Sequence, residues 1–283
     1  MPHVSPWSAA QTAAHLHRPT DADDKYSRGV VGMRTGSDRY PGAAVLGVEG
    51  AWRSGAGMVR YVGPDAAASL VLARRPETVR GEGRVQSWVL GSGMADADGL
   101  EGVDGILRGD VPIVLDAGAL ALAARPGLSA PRILTPHRGE LARLREALGL
   151  STEWTDDADA AAETAAATGA TVLLKGARTR VATPGGWSAT VISDAPWLST
   201  AGTGDVLAGV LGALVAAAGE AVAADSEGLG AIAASAAWLH GAAGRIASGT
   251  GLIDDAVAEG AGHPLVALEV AEAIPGVWAR LVA

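Results

Sequence analysis

Short apolar runs that end in a polar residue or a glycine alternate along this sequence with stretches rich in alanine and leucine. Four of these runs, GRVQSWVLGSG, VPIVLDAG, PRILTPH and TVLLKGA, occupy residues 83–93, 111–118, 131–137 and 171–177. The stretches between them predict helices at residues 97–107, 119–124, 139–148 and 157–168. Apolar strands that alternate with helices are typical of a parallel sheet covered by helices on both faces. The pattern therefore predicts an α/β fold.

The last part of the sequence follows a different pattern. TRVATPGGWSATVIS, at residues 179–193, predicts a β-hairpin whose turn is Pro-Gly-Gly. Three further helices are predicted at residues 203–218, 226–248 and 265–273. Residues 1–24 are polar and without periodicity, which predicts a loose N-terminal arm. Residues 25–283 contain no repeat or linker and are predicted to form a single domain.

Composition excludes several classes of protein. The formal net charge of −9 argues against nucleic acid or an anionic membrane as the main partner. The chain has no cysteine, which excludes disulfides, thiolate catalysis and cysteine-ligated metals. Its N-terminus lacks the basic and apolar regions of a signal peptide, and its longest apolar stretches are interrupted, so we expect no membrane span and a cytoplasmic protein. An anionic small ligand stays possible, because backbone dipoles act locally.

Polar residues and glycines occur where the predicted strands end. They lie at residues 91–93, at Asp116, at residues 135–137 and at residues 175–179. Ligands of such sheets bind beyond the carboxyl ends of the strands. The sequence therefore predicts an active site at this edge.

STAGTGDVLAGVLGALV, at residues 199–215, places Asp205 between a glycine-rich turn and an apolar helix. The first turn of a helix has free N–H groups and the positive end of the dipole, so an anion can bind there. Asp205 is either a carboxylate stabilised by that dipole or a base that takes a proton from an attacking hydroxyl. A Walker-type phosphate loop is excluded, since its motif is absent.

Two other strand ends carry candidate ligand contacts. Lys175, in LLKGART, is one of two lysines in a chain with 20 arginines, and a lysine retained against that background suggests contact with phosphate or a nucleotide rather than a surface position. His137, in LTPHRGELARL, is either a structural histidine or a ligand contact. Glu140 is a favourable acid in the first turn of a helix, or it lies near a metal-bridged phosphate. Residues 36–43 form a glycine-containing loop that could line a substrate pocket.

The ordered set of motifs resembles the ADP/ATP-dependent NAD(P)H-hydrate dehydratases, a branch of the ribokinase-like superfamily. The motifs extend from about Lys25 to Trp278 and read KYSRGVVG, GSDRYPGAAVL, RSGAGMVR, VLGSGM, VLDAGAL, LTPHRGELARL, LLKGART and AGTGDVLAGVLGALV. The resemblance implies a three-layer α/β/α fold with a central, mostly parallel sheet and a β-hairpin near its edge. It also implies a repair reaction, in which the C6 hydroxyl of the S epimer of hydrated NADH or NADPH is phosphorylated by ADP or ATP and phosphate is then eliminated.

The same resemblance implies roles for individual residues. Asp205 would be the base, and the amides of Gly202, Thr203 and Gly204 would hold the phosphate in transit. The residues implied to contact the nucleotide are Lys175, Gly176, Ala177, Arg178, Thr179 and Gly204. Those implied to line the hydrated nicotinamide are Ala43, Gly93, His137 and Asp205. Mg²⁺ is expected from the phosphoryl-transfer chemistry, with Glu140 as a candidate ligand.

The chain departs from the family pattern at two places. The family usually has Asp-Ala-Asp where this chain has Asp-Ala-Gly ending at Gly118, and Gly-Asn-Pro-Gly where this chain has DAPW at residues 194–197. Many relatives carry an N-terminal epimerase domain, for which about 24 residues are too few, so we expect a separate epimerase as functional partner. A homo-oligomer is also expected.

Two other functions fit the same motifs. One is a kinase of the same superfamily for a vitamin-precursor alcohol of the hydroxyethylthiazole or hydroxymethylpyrimidine type. The other is a non-catalytic nucleotide-binding sensor, which Gly118 and the altered run VISDAP would explain.

Overall fold

The computed structural model describes residues 6–95, 100–251 and 261–282. Nine strands form one sheet in the order β3-β2-β1-β4-β5-β6-β7-β8-β9. β1 to β7 pair in parallel, whereas β8 is antiparallel to both β7 and β9. The strands are β1 (Val30–Arg34), β2 (Met58–Tyr61), β3 (Val79–Arg80), β4 (Ser87–Leu90), β5 (Ile113–Leu115), β6 (Arg132–Leu134), β7 (Thr171–Leu174), β8 (Arg178–Ala182) and β9 (Ser188–Ile192). The predicted mostly parallel sheet with a hairpin at its edge is confirmed.

Helices cover both faces of the sheet. The α-helices are α1 (Ala9–Ala13), α2 (Pro41–Arg53), α3 (Asp65–Arg74), α4 (Asp104–Leu107), α5 (Arg138–Ala147), α6 (Asp157–Thr168), α7 (Thr203–Ala224), α8 (Leu229–Ala247) and α9 (Ala267–Leu281). Three 3₁₀ helices are Ala117–Ala124, Pro196–Leu198 and Ser226–Gly228.

Successive residues of each strand point to opposite faces, which divides the core into two clusters. In β1, Val31 and Met33 pack with α2, α3, α7, α8 and α9, and Val30 packs on the face that α4, α5 and α6 cover. Every residue of β4 and β7 is buried. The three-layer α/β/α architecture is confirmed.

Several helix boundaries differ from the predicted ones. The helix at residues 157–168 is α6, and α5 is within one residue of its prediction. Of the predicted helix at residues 97–107, residues 97–99 lie outside the described residues, and only α4 is a regular helix. α7 extends past residue 218, across non-helical backbone at Gly219. α9 runs through Pro275 to Leu281, because Ile274 and Val277 continue its buried face.

The N-terminal segment packs against the domain, which differs from the loose arm predicted for residues 1–24. The backbone N–H of Trp7 donates to the carbonyl of Thr190 at 2.8 Å, and the Trp7 and Trp187 rings meet edge to face at 5.8 Å. Ser8 caps α1, and the Leu16 side chain is buried in the core. The tryptophan pair holds this segment on the β8–β9 hairpin.

α7 lies between α2 and the sheet. A Cβ added at Gly209 would lie 2.0 Å from the Gly47 carbonyl of α2, and one at Gly50 would lie 2.3 Å from the Val206 carbonyl. These close approaches are possible only for glycine, and they direct the N-terminus of α7 toward the carboxyl edge of the sheet.

No helix in the described ranges is long and apolar enough to span a membrane.

Candidate active site

Neighbouring parallel strands bring the predicted polar residues to one edge of the sheet. β5 is followed directly by Asp116, β6 by Thr135 to His137, and β7 by Lys175. A β-bridge between His137 and Lys175 extends the β6–β7 pairing, and the Lys175 N–H donates to the Pro136 carbonyl at 2.8 Å. The N-terminus of α7 lies beside this edge, since a Cβ at Gly204 would lie 3.6 Å from Lys175 Nζ.

An ion pair between Lys175 and Asp116 is at the centre of the site. Lys175 Nζ lies 2.8 Å from Asp116 Oδ1, and Asp116 also accepts hydrogen bonds from Thr135 Oγ1 at 2.7 Å and Ser92 Oγ at 2.9 Å. Burial raises the pKa of Asp116, but the Lys175 charge and these hydrogen bonds outweigh burial and hold that pKa below its ordinary value. Burial also lowers the pKa of Lys175, but Asp116 and Glu140 reverse that effect and keep the ammonium charged.

Asp205 is in the first turn of α7 and has the opposite pKa shift. Burial and then the negative charge of Asp116 raise its pKa, Lys175 lowers it, and the net result is a pKa of about 7. A carboxyl group with this pKa is close to half ionised at neutral pH, which suits a group that accepts and returns a proton.

The turn before Asp205 is shaped by two glycines and a fixed threonine. Gly202 has φ +91°, and a Cβ there would lie 2.5 Å from Leu46 Cδ1 of α2. Thr203 Oγ1 donates to the carbonyls of Leu198 at 2.8 Å and Thr200 at 2.9 Å. The Thr203 N–H donates to the Thr200 carbonyl at 3.4 Å, and the other first-turn amides of α7 have no partner within the helix, so they can donate to an anion beside Lys175.

His137 and Glu140 form a capping box at the start of α5. His137 Nδ1 accepts from the Gly139 N–H at 3.0 Å, and Glu140 Oε2 accepts from the His137 N–H at 2.8 Å. The same Glu140 oxygen is 3.8 Å from Lys175 Nζ. Glu140 therefore both caps the helix and contributes negative charge to the site.

A cavity of about 650 Å³ opens beside these groups. Seven of the predicted site residues line it: His137, Lys175, Gly176, Ala177, Thr179, Thr203 and Gly204. Asp205 and the exposed Arg178 are not among the lining residues. Ala43 and Gly93 lie outside it and contact each other, since a Cβ at Gly93 would lie 2.3 Å from Ala43 Cβ.

The cavity has further walls, and the first of these was not identified from the sequence. One comes from α8, where His240 is buried and faces the cavity with Ala237 and Gly241. The DAPW stretch is another, through Asp194, Ala195 and Pro196. A lone histidine in an apolar helix gives no sequence signal of its own, because such histidines are commonly structural.

Comparison with known proteins identifies the family. The family model described as NAD(P)H-hydrate dehydratase matches residues 31–257. The chain belongs to this family. The bifunctional NAD(P)H-hydrate repair enzyme Nnr of Mycobacterium leprae is 44% identical to this chain over 220 residues, 74% of this chain and 45% of that protein. The chain thus spans about half the length of that relative.

A curated relative and a solved structure, both from Bacillus subtilis, match this chain along almost its full length. The ADP-dependent (S)-NAD(P)H-hydrate dehydratase is 30% identical over 97% of this chain and 98% of its own length. The crystal structure of an ADP/ATP-dependent NAD(P)H-hydrate dehydratase, co-crystallised with ATP/Mg²⁺, superposes with a TM-score of 0.83 at 29% identity, over 99% of this chain and 100% of that one. The expected ribokinase-like architecture is confirmed.

Proposed function

We propose that this protein catalyses the ADP- or ATP-dependent dehydration of the S epimer of hydrated NADH or NADPH. Family membership supports the reaction. The observation that carries the proposal is the partly buried Asp205 carboxyl group, whose pKa is raised to about 7, in the first turn of α7 beside Lys175. Phosphoryl transfer to a hydroxyl group needs a base of this kind next to an anion-binding turn.

In the proposed reaction, Asp205 takes the proton of the C6 hydroxyl while that oxygen bonds to the terminal phosphorus of the nucleotide. The bond from phosphorus to the bridging oxygen breaks, which leaves AMP from ADP or ADP from ATP. In the second step the C6–O bond breaks and phosphate departs, as C5 loses a proton and the ring double bond is restored. The amides of residues 202–204 stabilise the phosphoryl group in transit.

The lining of the cavity supports the predicted division of binding residues between the nucleotide and the hydrated nicotinamide. Gly176, Ala177 and Thr179 line it beside Lys175 and Gly204, which is the arrangement we assign to the nucleotide, with Arg178 at the exposed rim. Ala43 and Gly93 lie outside this cavity, and we assign them to the hydrated nicotinamide. His137 lies next to Lys175 and would contact both ligands.

Magnesium fits this site as a companion of the phosphates. No group of three or more metal-binding side chains occurs within the described ranges. Mg²⁺ commonly keeps water and phosphate oxygens as ligands and takes only one or two carboxylates. Glu140, 3.8 Å from Lys175 Nζ, is the carboxylate we assign to it. When bound, the ion would neutralise charge on the phosphates.

The wider setting of the reaction is also a proposal. The S epimer would be supplied by a separate NAD(P)H-hydrate epimerase. The homo-oligomer and the cytoplasmic location stay predictions.

The decisive experiment incubates the purified protein with hydrated NADH or NADPH and either ADP or ATP. We expect the absorbance of the reduced nicotinamide to return, with one phosphate released per cofactor repaired. Conversion of an alcohol to a stable phosphate ester, without that return, would support the kinase instead. Nucleotide binding without turnover of either substrate would support the sensor.

A further inference from the structure

His240 is a buried polar residue that the proposed reaction does not use. It lies on α8, is 7% exposed, and lines the cavity that also contains Lys175 and Gly204. Its Nε2 atom is buried and has no hydrogen-bond partner within the described ranges. A buried polar atom without a partner costs free energy, so one on a side chain that lines a cavity points to a ligand.

The hydrogen bond of the other ring nitrogen, Nδ1, determines whether Nε2 can donate or accept a hydrogen bond. A hydrogen bond between the imidazole and the Thr203 backbone raises the pKa of His240, so the ring donates and the carbonyl accepts. Since Nε2 is unpartnered, the donor is Nδ1. Burial, the largest effect, together with the Lys175 charge lowers that pKa to about 4, so the ring is neutral near pH 7. Nε2 of this tautomer carries a lone pair and accepts a hydrogen bond.

The chemistry of Nε2 and the lining of the cavity restrict which ligand group can donate a hydrogen bond to it. An ionised phosphate oxygen has no proton to donate and would be repelled by the lone pair. The cavity also contains Gly176, Ala177 and Thr179, whereas Ala43 and Gly93 lie outside it. Apolar side chains, Leu207 and Ala237 among them, also line the cavity. These walls suit the nucleoside portion of a nucleotide whose phosphates lie at Lys175.

We propose that His240 Nε2 accepts a hydrogen bond from a neutral donor on the nucleoside of the ADP or ATP co-substrate and so selects that nucleoside. This inference rests on the proposed function for the identity of the ligand. The donor is a ribose hydroxyl or the exocyclic amino group of the purine. Because Nδ1 also donates to the Thr203 carbonyl, the same ring positions the start of α7 next to the bound nucleoside.

Two substitutions separate the two ring nitrogens. His240→Asn keeps an amide donor near the position of Nδ1 and removes the Nε2 acceptor, whereas His240→Gln places an amide oxygen near Nε2 and removes the Nδ1 donor. We expect His240→Asn to weaken ADP binding about tenfold and His240→Gln to weaken it less, as measured by calorimetry. Ser235→Ala, at a buried α8 residue whose hydroxyl donates to the Ala231 carbonyl, is the matched control and should bind ADP as the unchanged protein does.

Nucleotide analogues identify the donor and need no variant. Binding of 2′-deoxy-ADP, 3′-deoxy-ADP and purine riboside diphosphate is compared with binding of ADP. The analogue that lacks the bonded group should bind about tenfold more weakly to the unchanged protein, and His240→Asn should add no further loss for it. Equal affinity of the protein and both variants for ADP and every analogue would overturn this inference alone. Failure of the unchanged protein to bind ADP or ATP would overturn the proposed function together with it.

Discussion

Asp205 is in a site that already contains a second carboxylate, and this proximity determines its chemistry. Burial and the charge of Asp116 raise its pKa to about 7, although Lys175 opposes them. Asp116 has the opposite shift because it is paired with Lys175 and accepts hydrogen bonds from Ser92 and Thr135. Two carboxylates at one strand edge are thus separated into a permanently charged partner for lysine and a titratable group near neutrality.

The Asp205 assignment predicts a pH dependence of catalysis. The base must be ionised, so kcat/KM should rise with pH through about 7 and level off above it. Asp205→Asn should lower kcat about 10²- to 10⁴-fold above pH 7, and the difference should shrink at lower pH, while ADP affinity measured by calorimetry stays within a few-fold. Near-normal turnover in this variant would show that another group removes the proton.

A stability measurement shows whether the same variant is intact. The folded pKa of Asp205 is above its ordinary value of 3.8, so ionisation of the carboxyl group destabilises the fold as pH rises from about 4 to about 7. Asp205→Asn should therefore unfold with a free energy higher than that of the unchanged protein, by up to about 4 kcal/mol, at pH 8. Lower stability would mean that the lost turnover reflects misfolding.

The sequence could identify Asp205 but not the value of its pKa. AGTGD followed by an apolar run predicted a carboxylate in the first turn of a helix, and that is where Asp205 lies. Its pKa depends on Asp116, which is 89 positions earlier in the chain and reaches the site only through the strand order. His240 is a similar case, since its distance from Thr203 is determined by how α8 packs against α7.

At the scale of elements, the contact between α2 and α7 determines where the catalytic turn lies. Gly209 and Gly50 allow the two helix backbones to touch, because each occupies a position where a Cβ would overlap a carbonyl oxygen of the other helix. The apolar character of α7 on all sides predicted a buried helix, and its residues from Val206 to Ala216 are buried. The glycine-rich sequence predicted close helix packing, but it did not specify which pair of helices would be in contact.

This contact predicts a large effect of one added methyl group. Gly209→Ala places its Cβ about where the Gly47 carbonyl lies, so the helices must separate, and the free energy of unfolding should fall by about 3 kcal/mol. Gly276→Ala is the matched control, since it lies inside α9 with nothing within 4 Å of its Cβ, and it should stabilise by up to about 1 kcal/mol. Urea unfolding measures both values. Equal stability of the two variants would contradict the close packing.

At the scale of the whole molecule, strand order places the two ligand regions. The chain builds β1, β2 and β3 in one direction and then returns to place β4 on the other side of β1. The loops after β1 and β4 meet at this reversal, where the Gly36 N–H donates to the Ser92 carbonyl at 2.7 Å and Ser37 Oγ donates to the Gly93 carbonyl at 2.8 Å. Such reversals are common ligand sites in open α/β sheets. Alternation of strands and helices predicted the sheet, but no local pattern specifies this order.

A buried carboxylate joins the helices on the α2 side of the molecule. Glu49 of α2 is fully buried and accepts hydrogen bonds from Arg53, Arg74 and Arg75, and Arg74 also pairs with Glu272 of α9 at 3.1 Å. Burial raises the pKa of Glu49, but the three guanidinium groups outweigh it and lower that pKa to about 2. The ion cluster therefore links α2, the end of α3 and the C-terminal helix.

This cluster predicts how stability depends on pH. The folded pKa of Glu49 is about 2, below its ordinary value of 4.5, so its stabilising contribution is complete above about pH 4.5 and is lost as pH falls toward 2. Glu49→Gln should lower the free energy of unfolding by about 3 kcal/mol at pH 7, because it removes the buried counter-charge of three guanidinium groups. The difference from the unchanged protein should shrink steadily in urea titrations between pH 4.5 and pH 2. Glu77→Gln, at an exposed partner of Arg75, is the control and should change stability by less than about 1 kcal/mol, since surface ion pairs contribute little. A loss in Glu49→Gln that is the same at pH 3 and pH 7 would mean that side-chain packing, not charge, stabilises this region.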